Sequence, residues 1–162
     1  MKITLEVDTT NLLISQELQN AIKMGVQNAM ANRFATVVDR NFGNGSGEDR
    51  PEEWQILTKK YADEYKGTDR TPNLQLKALS KNPKESSKSL QSSIEVDEMN
   101  LDESSVFTNN PYAMDHQIGK KERNLPARPF FPISEDGVVT DCTTEQCLRA
   151  AEIEINRVLS SF

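Results

Sequence analysis

The first fifty residues contain no proline, and from Ile14 onward an apolar side chain returns at every fourth position: Leu18, Ile22, Val26, Met30, Phe34 and Val38. An α-helix turns once every 3.6 residues, so a repeat of four keeps one face apolar while that face drifts slowly around the axis. This pattern predicts one long helix ending near Asn41, which either crosses its partner obliquely or bends near Gly25. Asp8-Thr9-Thr10-Asn11 ahead of it offers several N-caps. So long an apolar stripe has to be covered, and the remaining elements must supply the layer that covers it.

Those elements are short. Ile3, Leu5 and Val7 alternate with polar neighbours, the period of a strand with one buried face. After the long helix, Gly43-Asn44-Gly45-Ser46-Gly47 reads as a turn. A phosphate-cradling loop would need a preceding strand and a closing Gly-Lys-Ser/Thr, whereas Glu48 and Asp49 follow here. Pro51-Glu52-Glu53 is placed to open a second helix, with Trp54, Leu57 and Tyr61 at helical spacing, expected to pack on the core, the alternative being that the aromatics face a partner subunit. Residues 66-88 shift to Lys, Ser, Thr, Asn and Pro and form a flexible polar insertion. Leu90 to Met99 and Ser105 to Thr108 predict a two-stranded hairpin turning at Asp102-Glu103-Ser104.

At the C-terminal end, Asp141 or Thr143 caps a last helix. Thr143 and Gln146 have capping-box spacing, and Leu148, Ala151, Ile155, Val158, Leu159 and Phe162 make its apolar face. The sum is an α+β fold, one domain over 1-162, with a small antiparallel sheet packed against a long N-terminal helix and a C-terminal helix.

A net charge of -6 opposes a general nucleic-acid-binding surface, because phosphate neutralisation needs clustered cations. Local patches are still open. Lys77, Lys81, Lys84 and Lys88 form a basic arm in the 66-88 insertion, and a DNA-binding accessory module using that arm is the alternative function. No run is apolar enough to span a bilayer, and the alternating N-terminus is unlike a signal peptide, so residence in a cytoplasm is expected. Cys142 and Cys147 are five apart, which fits neither a redox pair nor a zinc set and leaves reduced structural thiols.

The stretch from Asn109 to Pro132 concentrates four of the seven prolines, the one histidine and the adjacent Phe130 and Phe131. Aromatics on this scale imply an ordered loop, since their apolar area needs cover. Asp115 beside His116 has too few companions for a metal site, so His116 is expected to fix the loop by bonding backbone groups through its two ring nitrogens. Arg128, stiffened by its proline neighbour, is suited to bidentate pairing with a carboxylate, either Asp115 or Glu122 of its own chain or one on a neighbouring subunit. In an extended segment Phe130 and Phe131 point opposite ways, one into the core and the other to an interface.

In sequence order, Gly47 with Trp54-x-x-Leu57-Thr58, Leu90-x-x-Ser93-Ile94, Asn110-Pro111-Tyr112-Ala113-x-x-His116-Gln117-x-Gly119 and Pro126-Ala127-Arg128-Pro129-Phe130 resemble the phage virion morphogenesis family. These are the tail-completion and head-to-tail joining proteins of tailed phages, including the Mu-type member. The resemblance spans residues 47 to about 133, and Glu85-Ser86-Ser87 stands where the family often has a Thr-Gly turn. It implies a structural protein of the virion, assembled in the host cytoplasm, with no catalytic residues, no metal and no cofactor.

The implied form is a homo-oligomeric ring, a hexamer where it terminates a tail, touching the tail tube protein and neck or connector proteins. DNA would pass through its lumen without specific binding, which an acidic lumen would favour. Trp54, Tyr112, His116, Gly119, Arg128, Phe130 and Phe131 are then the candidate interface or loop-fixing residues.

Overall fold

In the computed structural model of the chain, residues 1-10, 12, 14-43, 48-65, 90-98 and 103-162 are described. The polar insertion at 66-88, with Lys77, Lys81, Lys84 and Lys88, lies outside them, as do residues 44-47 of the glycine-rich turn. The ordered elements are β1 (Lys2–Leu5), α1 (Gln16–Asn41), α2 (Lys59–Tyr65), β2 (Ile94–Asp97), β3 (Ser104–Thr108), α3 (Ala113–Ile118) and α4 (Asp141–Leu159). The fold is α+β: a three-stranded antiparallel sheet with a long N-terminal and a C-terminal helix. Contacts divide the chain into two compact units. The first holds 1-36, 94-108 and 141-162, and the second holds 37-93 and 109-140.

The first unit contains the sheet, ordered β1-β3-β2. Its register sets Ile3 and Val96 on either side of Val106, so the alternation of three separate segments meets in one apolar row. A slip of one residue would turn that row to the other face. The N-terminal amine extends the ladder by donating to the Thr108 carbonyl at 3.1 Å. Ser104 Oγ donates to Asn28 Oδ1 at 2.7 Å and so ties β3 to α1.

The core of this unit is a helix-helix seam. Ile22 and Val26 of α1 meet Ala151 and Val158 of α4, flanked by Val7, Leu18, Met30 and Ile155. Gly25 lies in the same seam. A Cβ added there would come within 2.6 Å of Glu154 Oε1, so the missing side chain makes room for that carboxylate. Glu154 in turn bonds Arg157 at 2.6 Å, which holds its carboxyl below the usual range.

Four local expectations change. First, α1 starts at Gln16, not near Asn11: Ser15 Oγ accepts the Leu18 N–H at 3.3 Å and acts as the cap. Asp8 is occupied instead with the backbone and hydroxyl of Thr10, at 2.9 and 2.6 Å. Second, no helix opens at Pro51. Residues 53-58 are irregular and α2 begins at Lys59, because Trp54 is fastened elsewhere, as described below.

Third, β2 begins at Ile94 after a 3-10 turn over Gln91–Ser93, and Ser104 is the first residue of β3, not part of a turn. Fourth, α4 starts ahead of Thr143, which is buried inside its first turn, and Gln146 bonds Arg33 and Cys142 in place of a capping box. The buried stripe of α4 is Thr143, Cys147, Ala151 and Val158. Leu148 and Leu159, expected in that face, are exposed, as is Phe162, which lies beyond the end of the helix.

Candidate functional site

The second unit is built from the end of α1, the irregular segment after it, and the stretch from Asn109 to Thr140. Its centre is aromatic. The Phe42 ring meets Trp54 edge-on at 6.3 Å and Phe130 at 5.1 Å, and Phe130 meets Phe131 at 5.1 Å. These are the tilted and edge-to-face geometries that aromatic quadrupoles favour. The Trp54 indole N–H donates to the Pro129 carbonyl at 2.8 Å, a bond between segments 75 residues apart. This bond explains the missing helix at Pro51: the indole reaches its acceptor from an irregular backbone.

Arg50 completes the cluster. Its guanidinium lies 3.8 Å from the centre of the Trp54 ring and donates to the carbonyl oxygens of Asn41 at 2.8 Å and Gly43 at 2.7 Å. Those carbonyls close α1, where a cation complements the negative end of the helix. Burial pulls this guanidinium below its ordinary pKa.

Two buried amides clamp the backbone. Gln117 Oε1 accepts from the N–H groups of both Phe130 and Phe131 at 3.0 Å, and its Nε2 donates to the Phe131 carbonyl at 3.1 Å. Asn41 Oδ1 accepts from the N–H groups of Glu48 and Asp49 at 3.1 and 2.9 Å, while its Nδ2 donates to the carbonyls of Asp49 and Phe130 at 3.0 and 3.1 Å. Irregular backbone cannot satisfy its own polar groups as a helix or sheet does, and these two side chains stand in for the missing ladder. The sequence marks Gln117 only as a position of the family-like motif and Asn41 only as the end of the long helix; neither clamp is legible there.

The seven candidate residues fall into this frame as follows. Trp54, His116, Arg128, Phe130 and Phe131 are buried, and Gly119 is half-buried. Tyr112 alone is exposed, at 49%, preceding α3 where its N–H donates to Asn110 Oδ1 at 2.9 Å. His116 joins the strap formed by Pro126 to Phe131 through its backbone carbonyl, which accepts the Arg128 N–H at 2.7 Å. Gly119 ends α3 at φ 76° and ψ 172°, a conformation open only to glycine, and a Cβ there would fall 2.7 Å from Ala127 N.

The expected division of labour between Phe130 and Phe131 is not found. Both rings are completely buried, because the backbone between them is bent around Gln117 and is not extended. Asp115, one of the acids considered for Arg128, pairs instead with Lys120 at 3.1 Å and lies 4.0 Å from Arg123.

Beside the strap lies a recess of about 520 Å³, walled by residues 55-58 on one side and by residues between Lys121 and Arg128 on the other. No group of three or more His, Cys, Asp or Glu among the described residues is arranged to hold a metal, and no described helix is long and apolar enough to cross a membrane. Cys142 is exposed and Cys147 buried, both as free thiols. Comparison with protein-family models, with curated proteins and with solved structures finds no match to this chain.

Proposed function

We propose that this chain is a structural protein of a tailed phage or phage-like particle. In this reading it forms a ring at the head-proximal end of the tail or in the neck, completes the tail and joins it to the head. The observation that carries the reading is the use made of the two segments that resemble the virion morphogenesis family. Asn110 to Gly119 and Pro126 to Phe130 are bound to each other through the Arg128 to His116 bond and the Gln117 clamp, and glycine at 119 allows the close approach to Ala127. The family-like residues thus serve to fix a backbone shape.

A rigid, loop-built body suits a ring subunit, which must present two different, preformed surfaces to its neighbours. The test is to incubate gold-labelled protein with tail tubes of the cognate phage and to image them by negative stain. Label confined to one tube end, the end that joins the head, is the expected outcome. Label spread along the tubes, or absent from them, would overturn the proposal.

A further inference from the structure

We infer that the recess beside Lys121 and Arg123 receives the acidic turn at Ser134 to Val138 of a second copy of this chain, and that this head-to-tail contact propagates the ring. The inference rests on the ring reading and names its interface.

The recess is cationic in a chain whose net charge is -6. Lys121 and Arg123 line it together with Ile56, Leu125 and the buried Arg128; none of its described lining residues is a carboxylate, and the carboxylate next to Arg123, Asp115 at 4.0 Å, lies outside the lining. Lys121 and Arg123 are exposed, and Ile56 is 64% exposed, a large apolar side chain held open to solvent. Both walls are fixed before any partner arrives. Lys120 and Leu125 exchange backbone hydrogen bonds at 2.8 and 3.0 Å, and Gly119 packs tightly behind them. The other wall, residues 55-58, follows directly on Trp54, which is bonded to Pro129. A preformed site saves most of the ordering cost of association.

The turn is the complementary object. The Ser134 N–H donates to the Val138 carbonyl at 2.8 Å, the Gly137 N–H donates to the Ser134 carbonyl at 3.0 Å, and Ile133 bridges Val139 just below. The turn is therefore rigid. It presents two adjacent exposed carboxylates, Glu135 and Asp136, next to Val138, which is 62% exposed. Two acids and a valine match two cations and an isoleucine in both charge and apolar character. The turn does not line the recess of its own chain. Because every copy carries one recess and one turn, the contact joins unlike surfaces and repeats from copy to copy, as a closed ring requires.

The test uses two full-length variants, Lys121→Glu with Arg123→Glu in the recess and Glu135→Lys with Asp136→Lys in the turn. Circular dichroism checks folding, and sedimentation velocity with negative stain reads assembly, with tail tubes added if these are needed to nucleate it. Each variant alone is expected to need at least about tenfold more protein to assemble, since like charges face each other. Their equimolar mixture should assemble like wild type, with the two variants alternating around a ring of even order.

If either variant alone assembles like wild type, or if the mixture stays apart, this contact is wrong while the ring reading stands; the second result would assign the recess to some other acidic partner. If the wild type itself never assembles, the ring reading falls first and takes this contact with it. Should a double reversal fail to fold, Lys121→Ala and Val138→Ser are read in the same way, each weakening assembly while leaving the circular dichroism spectrum unchanged.

Discussion

The two units reach order by different routes. The first takes its segments from the beginning, middle and end of the chain and joins them by regular repeats: a strand ladder and a seam of aliphatic side chains at helical spacing. The second has little regular structure around its core among the described residues. It is held by touching aromatic rings and by two amide side chains that satisfy backbone groups no ladder reaches. A periodic core spreads its stability over many similar contacts, so one loss is tolerable. In a clamped loop a few atoms carry the arrangement, and losing them strands several polar groups at once.

The sharpest break is expected at the aromatic centre. Phe130→Ala and Phe131→Ala should each cost about 3–5 kcal/mol of unfolding free energy, as for other large-to-small changes at fully buried aromatic sites. Denaturant titration checks this, and the two losses should be alike because both rings are buried; a folded, fully stable Phe131→Ala protein would instead favour an interface role for that ring.

Gln117→Leu is next. It removes three hydrogen bonds but retains bulk, leaving two buried N–H groups and a carbonyl unmatched, for a loss of roughly 2–5 kcal/mol. In the first unit Ile22→Ala should cost about 2–4 kcal/mol through a cavity. Hydrogen exchange separates the two, since each change should lower amide protection chiefly within its own unit. Loss of protection spread evenly over both units after Gln117→Leu would dissolve the distinction between them.

The two packed glycines sharpen the comparison further. Gly119→Ala forces a left-handed backbone onto alanine and pushes its Cβ into the backbone atoms of Ala127 and Leu125, costing about 2–4 kcal/mol. Gly25→Ala meets only the end of the Glu154 side chain, which can swing aside. The gain of about 1 kcal/mol in helix propensity then offsets the weakened pair with the exposed Arg157, and the net change should stay within about 1 kcal/mol. Thermal melts of the two variants give the ranking directly.

The smallest effect concerns the thiols. Burial pushes Cys147 up to about 11, although nearby Arg33 works against the shift. At pH 8 a maleimide should therefore label Cys142 rapidly and leave Cys147 unlabelled until the protein unfolds, which mass spectrometry can count. The sign for stability follows from the raised value: the contribution of this thiol is intact below pH 9 and is lost as the pH climbs toward 11.

The sequence exposed the periodic half better than the clamped half. The fourfold repeat from Leu18 to Val38 and the alternation at Ile3, Val96 and Val106 each state their partner face, because a repeat and a buried surface are the same fact seen twice. The proline and aromatic density of Asn109 to Pro132 signalled order there, yet it could not say that Phe130 and Phe131 are both inside. Their backbone turns around Gln117, which stands in the sequence only as one position of the family-like motif, with nothing to say that its amide would bond both their N–H groups. Pro51 misled for a related reason: its helix-opening chemistry is genuine, but one bond from Trp54 to Pro129 outweighs a propensity of a few tenths of a kcal/mol per residue. On α4, spacing alone admitted Leu148 and Leu159 to the buried face, whereas the residues buried there are Thr143, Cys147, Ala151 and Val158.

Whether the two kinds of order together make a ring subunit is measured most directly by the mass of the purified protein in solution. Light scattering with negative-stain images, taken with and without tail tubes, gives that mass and the particle shape. The account predicts closed rings, of about six copies of the 18.2 kDa chain when they end a tail, either free or seated on tube ends. A stable monomer that ignores the tubes would contradict it.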